Sequence, residues 1–206
     1  MSTKLYITRH GETEWNVAKR MQGRKNSSLT EKGVAQALQL GERMNEIHLD
    51  VIYTSPSERA VHTARLIKGE RELSIIQDER FYEIDMGNFE GLNFEEIQTQ
   101  YPTEFETFWN QPHMYRPMVG ETFEDVQKRV LNGLEDLLQK HKGESVLIVA
   151  HAVAAKLLVG HFTNRPIGKV WDDPFMHGAS LSFIEIHNEE SKVHLFADTS
   201  HFKAKV

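Results

Sequence analysis

The chain has 206 residues, 39% of them apolar and 26% charged, with 11 Phe, 3 Trp and 5 Tyr. A chain of this size buries roughly 70% of the surface it exposes when unfolded, and this composition excludes a disordered or collagen-like protein. Lys and Arg number 24 against 30 Asp and Glu, a net charge of −6, which argues against a general nucleic-acid or anionic-membrane binder; Cys is absent, so disulfides, thiolate zinc sites and cysteine nucleophiles are excluded.

The elements follow in chain order. Met1 to Lys4 leads into only a few strand-like residues, too short for the apolar region of a signal peptide. Leu5 to Thr8 reads as a short buried strand, followed by a polar, Gly-punctuated segment to Ser28. Thr30 starts a helix, with Val34, Ala37, Leu38, Met44 and Ile47 at helical spacing on one face. Val51 to Thr54 is the next strand. Ser55-Pro56-Ser57-Glu58 then reads as a capping box with Pro at the first helical position, and Ala60, Ala64 and Ile67 continue the buried stripe of that helix.

Leu73 to Ile76 is a weaker strand, and the aromatic stretch from Arg80 to Pro117 is irregular apart from a helix around Phe94 to Gln100. Thr122 opens the clearest helix, with Val126, Val130, Leu134, Leu137 and Leu138 on one face and a basic, Gly-terminated end at 140–143. Ser145 to Ala150 is a fully apolar strand, Ala152 to Phe162 a helix, and Leu181 to His187 and Val193 to Ala197 two further strands with a turn near Asn188. The longest apolar stretch, Val146 to Val159, is broken by His151 and Lys156 and falls short of the ~20 residues that span a bilayer, so a soluble, cytoplasmic protein is expected. With no repeat, low-complexity tract or linker, we expect one domain over 1–206, and strands alternating with helices predict an α/β sandwich with a parallel-rich sheet.

Three of these strands end at suggestive residues. The first delivers Arg9-His10-Gly11, the second Ser55 to Arg59 at a helix start, and the long apolar strand His151. Ligands of open α/β sheets sit beyond the carboxyl ends of the strands, so two imidazoles and two guanidiniums are expected to converge there. Taken singly, each has an ordinary reading: His10 as a loop histidine, Arg9 as a solvated cation, Arg59 as a surface partner of Glu58, His151 as a hydrogen-bonded core residue. Together they suit phosphoryl transfer. Guanidinium forks and a helix N-terminus bind phosphate oxygens. Neighbouring cations keep a histidine neutral and nucleophilic, and they stabilise charge on the transferring group. A proton donor for the leaving alkoxide is also needed. Glu83 and Asp85 are candidates because they lie in an apolar stretch before Gly87, though each alone reads as a loop carboxylate.

At this point the motifs resemble a known family. Leu5-Tyr6-Ile7-Thr8-Arg9-His10-Gly11-Glu12-Thr13-Glu14-Trp15-Asn16, Arg20-Met21-Gln22-Gly23, Leu29-Thr30-Glu31-Lys32-Gly33, Tyr53-Thr54-Ser55-Pro56-Ser57-Glu58-Arg59-Ala60, Glu83 with Gly87-Asn88-Phe89-Glu90-Gly91, and Val149-Ala150-His151 follow the order of the histidine phosphatase superfamily, the phosphoglycerate-mutase-like proteins. The resemblance implies a three-layer α/β/α sandwich with a mostly parallel central sheet. It implies His10 as the nucleophile that becomes a phosphohistidine, Arg9, Asn16, Arg59 and His151 as phosphoryl ligands, and Glu83 as proton donor and later base. Gln22 and Gly23 would sit near the same pocket. Ala152 stands where the family frequently has Gly, Phe89 where it has Trp, and Asn26-Ser27-Ser28 replaces a frequent Asp-x-Pro; none of these touches the expected chemistry.

The short chain, and its stretches at 109–115 and 171–177, look most like the bacterial broad-specificity phosphatases of the group. The expected activity is therefore metal-independent hydrolysis of small phosphomonoesters. The alternatives are a mutase-type phosphotransferase, a phosphatase dedicated to one metabolite such as a cobalamin-pathway nucleotide or a sugar bisphosphate, and a non-catalytic phospholigand-binding module. The aromatic segment at about 94–118 reads either as a secondary hydrophobic cluster or as a lid that favours aryl and alkyl phosphates. No cofactor is expected, and no metal, because the 11 His show no ligand spacing. His187, His194 and His201 read as exposed strand and tail residues.

Overall fold

The computed structural model describes residues 2–188 and 190–203; Met1, the first residue of the N-terminal segment considered above, lies outside them. The described residues form the strands β1 (Ser2–Arg9), β2 (Val51–Thr54), β3 (Ser74–Gln77), β4 (Ser145–Ala150), β5 (Leu181–His187) and β6 (Glu190–Asp198). The helices are α1 (Glu14–Val17), α2 (Glu31–Met44), α3 (Glu58–Lys68), α4 (Phe94–Gln100), α5 (Pro102–Asn110), α6 (Phe123–Lys140) and α7 (Ala152–Phe162). The strands make one sheet in the order β3-β2-β4-β1-β5-β6. β3, β2, β4 and β1 run parallel, while β5 and β6 are antiparallel additions at one edge.

Both faces of the central strands are covered, which explains why they read as unbroken apolar runs. Alternate side chains go to opposite faces. Leu5, Ile7, Val51, Tyr53, Val146, Ile148 and Ala150 pack against α6 and α7, whereas Tyr6, Ile52, Leu147 and Val149 pack against α2 and α3. The result is the three-layer α/β/α sandwich with a mostly parallel sheet.

Several boundaries differ from expectation, each for a tertiary reason. β1 is longer at both ends because β5 supplies ladder partners from Ser2 onwards and β4 pairs with it as far as Arg9. In α2 the buried side chains are Ala37, Leu40 and Met44, while Leu38 is 47% exposed. A second short helix, α5, opens on Pro102, and its Phe108 is fully buried among Trp109, Phe123 and Trp171, with ring centroids 5.0 to 5.5 Å away. Tyr115 is equally buried, whereas Met114 and Met118 are exposed. His201 is not an exposed tail residue. It is half-buried, with its ring against the carbonyl of Ala179 and the guanidinium of Arg43.

Candidate active site

The sheet register assembles the site. Arg9 of β1 lies opposite Ala150 of β4, so His10 and His151 leave neighbouring parallel strands side by side. The His10 N–H donates to the carbonyl of Ala150 at 3.0 Å, and the two imidazole centroids are 5.2 Å apart at 61°. On the other flank of β4, Thr54 lies opposite Val149, and the Ser55 N–H donates to the Val149 carbonyl at 3.1 Å. This turn delivers α3 to the same rim. Gly11 is required by close packing: a Cβ there would collide with the backbone carbonyl of Gly33 in α2. Its N–H donates to Thr63 Oγ1 at 3.1 Å, tying the His10 loop to α3.

Arg59 departs most from the simple sequence reading. It is 2% exposed rather than a surface partner of Glu58. Its fork is held by carbonyls of the 23–26 loop: Nη2 donates to Gly23 O at 2.8 Å, and Nη1 to Lys25 O at 2.7 Å and Asn26 Oδ1 at 3.3 Å. Its Nε–H points at His10 Nε2, 3.3 Å away. The opposite edge of the His10 ring places Nδ1 2.7 Å from the Gly11 carbonyl. A carbonyl accepts only, so Nδ1 carries the proton and Nε2 keeps its lone pair, aimed at the guanidinium. Arg9 donates from Nη1 to the carbonyl of Met176 at 3.0 Å, and its buried Nε has no partner.

The predicted capping box at Ser55–Glu58 does not form. α3 starts at Glu58 with Ser57 at the N-cap position, but the Ser57 side chain makes no cap hydrogen bond. Its hydroxyl is turned to His151 Nε2, 3.1 Å away. The cap comes from another loop instead, with Asn26 Oδ1 accepting the Arg59 N–H at 3.2 Å. α7 repeats the arrangement. Its N-cap residue is His151, whose ring does not cap. The carboxylate of Glu83 takes the free amides, from Val153 at 3.2 Å to both oxygens and from Ala154 at 3.3 Å. Glu83 is thus buried against a helix N-terminus beside His151 rather than in purely apolar surroundings. Asp85, the other carboxylate of that stretch, accepts from the Gly87 N–H at 2.9 Å as a turn residue.

The remaining predicted residues build the loop around the cup. The Asn16 Oδ1 closes a capping box by accepting from the Thr13 N–H at 3.1 Å and the Thr13 hydroxyl at 3.0 Å, which leaves its amide NH2 for other partners. Gln22 is buried, and its amide is committed within the loop, donating to Thr13 Oγ1 at 2.8 Å and accepting from Ser27 Oγ at 3.1 Å. Gly23 has φ +50°, which favours glycine, and a Cβ there would strike the Glu90 carboxylate; its carbonyl is the acceptor for Arg59.

Burial and clustered cations dominate the electrostatics. Burial first, then Arg59 and Arg9, hold the His10 imidazole well below its ordinary pKa, with the Gly11 carbonyl acting weakly in the other direction. His151 is held well below for the same reasons, burial first, then Arg59, His10, Arg9 and Arg129. Both rings are therefore neutral at pH 7. Burial also lowers Arg9 and pushes Arg59 down to about 10, so both remain cations at neutral pH. Among the described residues, no group of three or more His, Asp or Glu is arranged to hold a metal ion.

Several supporting residues carry no sequence signal of their own. Arg129 of α6 donates to the Glu83 carbonyl at 3.0 Å and pairs with Glu121 at 2.7 Å. Arg24 donates to the same carbonyl at 3.1 Å and to Glu121 at 3.3 Å. Together they fix the backbone that carries the carboxylate. Lys156, buried on α7, donates to the carbonyls of Asp172 at 2.6 Å and Pro174 at 2.8 Å and so steadies the loop whose Met176 carbonyl holds Arg9. Burial pushes the Lys156 amine down to about 8.

Comparison with known proteins agrees with this fold. The structure superposes on that of Bacillus stearothermophilus YhfR with a TM-score of 0.94 and 45% identity, covering 97% of this chain and 98% of the other. The sequence is 33% identical to phosphoserine phosphatase 1 of Hydrogenobacter thermophilus over 92% of this chain and 88% of the relative. It is 29% identical to the metal-independent phosphoserine phosphatase of Arabidopsis thaliana over 98% and 84%. The model of the histidine phosphatase superfamily (branch 1) matches residues 5–199. With its two histidines, two arginines and one carboxylate gathered at one rim of such a sheet, the chain belongs to the histidine phosphatase superfamily, branch 1.

Proposed function

We propose that this phosphoric monoester hydrolase works through a phosphohistidine on His10, without a metal. The observation that carries the reading is the direction of the His10 ring: Nδ1 is tied to the Gly11 carbonyl, and the Nε2 lone pair faces the Arg59 fork beside Arg9 and His151. A phosphoryl group in that cup takes the Arg59 Nε–H, the free edge of Arg9, the Asn16 amide and the His151 ring as ligands. Nε2 attacks phosphorus while the P–O bond to the leaving group breaks, and the departing alkoxide takes the proton of Glu83. Water then attacks the phosphohistidine and gives a proton to the Glu83 carboxylate. Phosphate leaves, and His10 returns to its neutral state. Gln22 and Gly23 act through the loop, by holding its shape and the Arg59 fork. That the Arabidopsis relative is described as metal-independent supports a reaction carried by these side chains alone.

Small phosphomonoesters with uncharged leaving groups fit best. The cations next to the cup are already engaged: Arg24 with Glu121 and the Glu83 carbonyl, Lys25 with the Glu90 carbonyl, and Lys32 with Glu12. A second anionic group on the substrate finds no unengaged cation among these three. Phe175, 61% exposed, directly precedes Met176, whose carbonyl holds Arg9, and offers apolar surface instead. The lid reading of the 94–118 segment narrows to the exposed Met114 and to the exposed Met118 beside the 85–87 turn, since Phe108 and Tyr115 are core. A phosphatase dedicated to phosphoserine is the second reading, favoured by the relatives of that name.

Trapping tests the scheme. Rapid quench with a 32P-labelled phosphomonoester is expected to leave label on the protein, stable in alkali and labile in acid, and His10→Ala is expected to carry none. Turnover of substrate by the wild type with no trapped label, or label retained by His10→Ala, would overturn it.

A further inference from the structure

The ring of His151 has one nitrogen engaged and one bare. Nε2 lies 3.1 Å from the Ser57 hydroxyl, while Nδ1 is buried with no partner. A neutral ring carries a proton on one of these atoms only, and the choice decides what Nδ1 presents to an anion: an N–H that binds a phosphoryl oxygen, or a lone pair that repels it.

The surroundings of Ser57 decide between them. Ser57 Oγ lies 3.2 Å from Ser55 Oγ, and Ser55 Oγ also accepts the Ser57 backbone N–H at 3.3 Å. Ser55 is fully buried, and Ser57 Oγ is the one acceptor within reach of its hydroxyl proton among the described residues. If His151 donated from Nε2, one hydroxyl proton would lack an acceptor: that of Ser55 if Ser57 donates to it, or that of Ser57 if Ser55 donates to Ser57 Oγ. In the opposite direction both hydroxyl protons are placed, Ser55 O–H donating to Ser57 Oγ and Ser57 O–H to His151 Nε2, and the one donor left over is His151 Nδ1–H, the atom a phosphoryl oxygen in the cup would meet.

We infer that this two-serine relay fixes His151 as the Nδ1–H tautomer, making Ser57 a positioning residue that aims a proton from His151 at the phosphoryl oxygen. This also explains why Ser57, placed at an N-cap, leaves capping to Asn26. The inference rests on the reading of the cup as a phosphoryl site, but the tautomer can be measured without any substrate.

The test is a long-range 1H–15N correlation spectrum of uniformly labelled protein at pH 7.5, with the His151 signals identified by their loss in His151→Gln. The wild type is expected to show the Nδ1–H form. Ser57→Ala is expected to shift toward Nε2–H, and Ser57→Thr, which keeps the hydroxyl, to retain Nδ1–H. Ser57→Ala is also expected to lower kcat by about 10- to 100-fold with the fold retained, below the roughly 10²- to 10³-fold lost when an oxyanion donor is removed outright. Ser57→Thr is expected to restore most of kcat. A wild-type spectrum showing Nε2–H, or a Ser57→Ala protein that keeps both Nδ1–H and its kcat, overturns the inference. A failed trapping experiment sinks the phosphohistidine scheme and leaves the spectrum to judge the relay on its own.

Discussion

Replacing Glu83 with Gln separates its two roles. The isosteric amide can place its carbonyl where Oε1 stands and keep the N–H groups of Ile84 at 3.1 Å, Val153 at 3.2 Å and Ala154 at 3.3 Å. The structural loss is at most that of a negative charge at the N-terminus of α7, about 0.3–1 kcal/mol and up to ~2 kcal/mol where partly buried. The fold therefore survives. The chemical loss is a group able to protonate the leaving oxygen, and general acid catalysis contributes roughly 10²- to 10⁴-fold. At about 1.36 kcal/mol per decade this is roughly 2.7–5.4 kcal/mol, more than the structural effect. It falls unevenly on substrates. An alkyl phosphate expels a strongly basic alkoxide and needs the proton, while nitrophenyl phosphate expels an anion that is stable without one. Comparing kcat/KM of wild type and Glu83→Gln across nitrophenyl, phenyl and alkyl phosphates, the ratio is expected to climb steadily with the basicity of the leaving group. An equal loss on nitrophenyl and alkyl esters would refute Glu83 as the acid and leave it as the cap of α7.

Two other expectations concern pH and substrate range. In the folded protein His10 and His151 are held well below the ordinary value of 6.5, so below that pH the unfolded chain binds protons that the native state does not. Stability is then fully present above pH 6.5 and falls as the pH drops, by about 1.4 kcal/mol per unit for each ring. Urea melts between pH 7 and 5 are expected to show a shallower dependence in His151→Gln by about that amount, and an identical slope would contradict the buried, neutral ring. In a phosphomonoester panel, phenyl and simple alkyl phosphates are expected to exceed carboxylated and bisphosphorylated sugar-acid substrates in kcat/KM by about an order of magnitude. The reverse ranking would mean that one of the cations at 24, 25 or 32 releases its partner to meet the substrate.

The parts of this fold legible in the sequence are those in which local pattern and tertiary environment agree. β4 is apolar throughout because both its faces are covered, so the polar residue that ends it, His151, stands out. Thr122 and Asp125 form the capping box of α6, and Thr30 caps α2, as their spacing suggests. What the sequence hides is set by distant backbone. Nothing near Arg59 says that carbonyls of residues 23 and 25, more than 30 positions away, will enclose its fork. Glu83 is one of 30 acidic residues, and what distinguishes it is the pair of amides it meets 70 and 71 positions later. Composition carries no trace of either meeting, and only the family motif singled out Glu83. Leu38 and Leu40 are both compatible with a helical stripe, and the tilt of α2 on the sheet decides which of them is buried.

Several local rules are broken at this rim, and in one sense. The N-cap side chains of α3 and α7, Ser57 and His151, both leave their helices uncapped and meet each other at the site, and loops far along the chain supply the missing acceptors through Asn26 and Glu83. The buried Arg59 guanidinium is kept near a second cation, Arg9, although Arg9 lowers its affinity for its proton. The Arg9 Nε and the His151 Nδ1 are buried without partners. An unmatched buried donor typically costs about 1–3 kcal/mol, and a fold selected for stability alone would remove several of these together. All of them are instead satisfied by the same object, a compact dianion with several acceptor oxygens placed between Arg9, Arg59 and the two rings. The frustration of this cup and the chemistry proposed for it therefore share one cause: donors placed in advance where negative charge accumulates during transfer, so that little rearrangement is needed when it does.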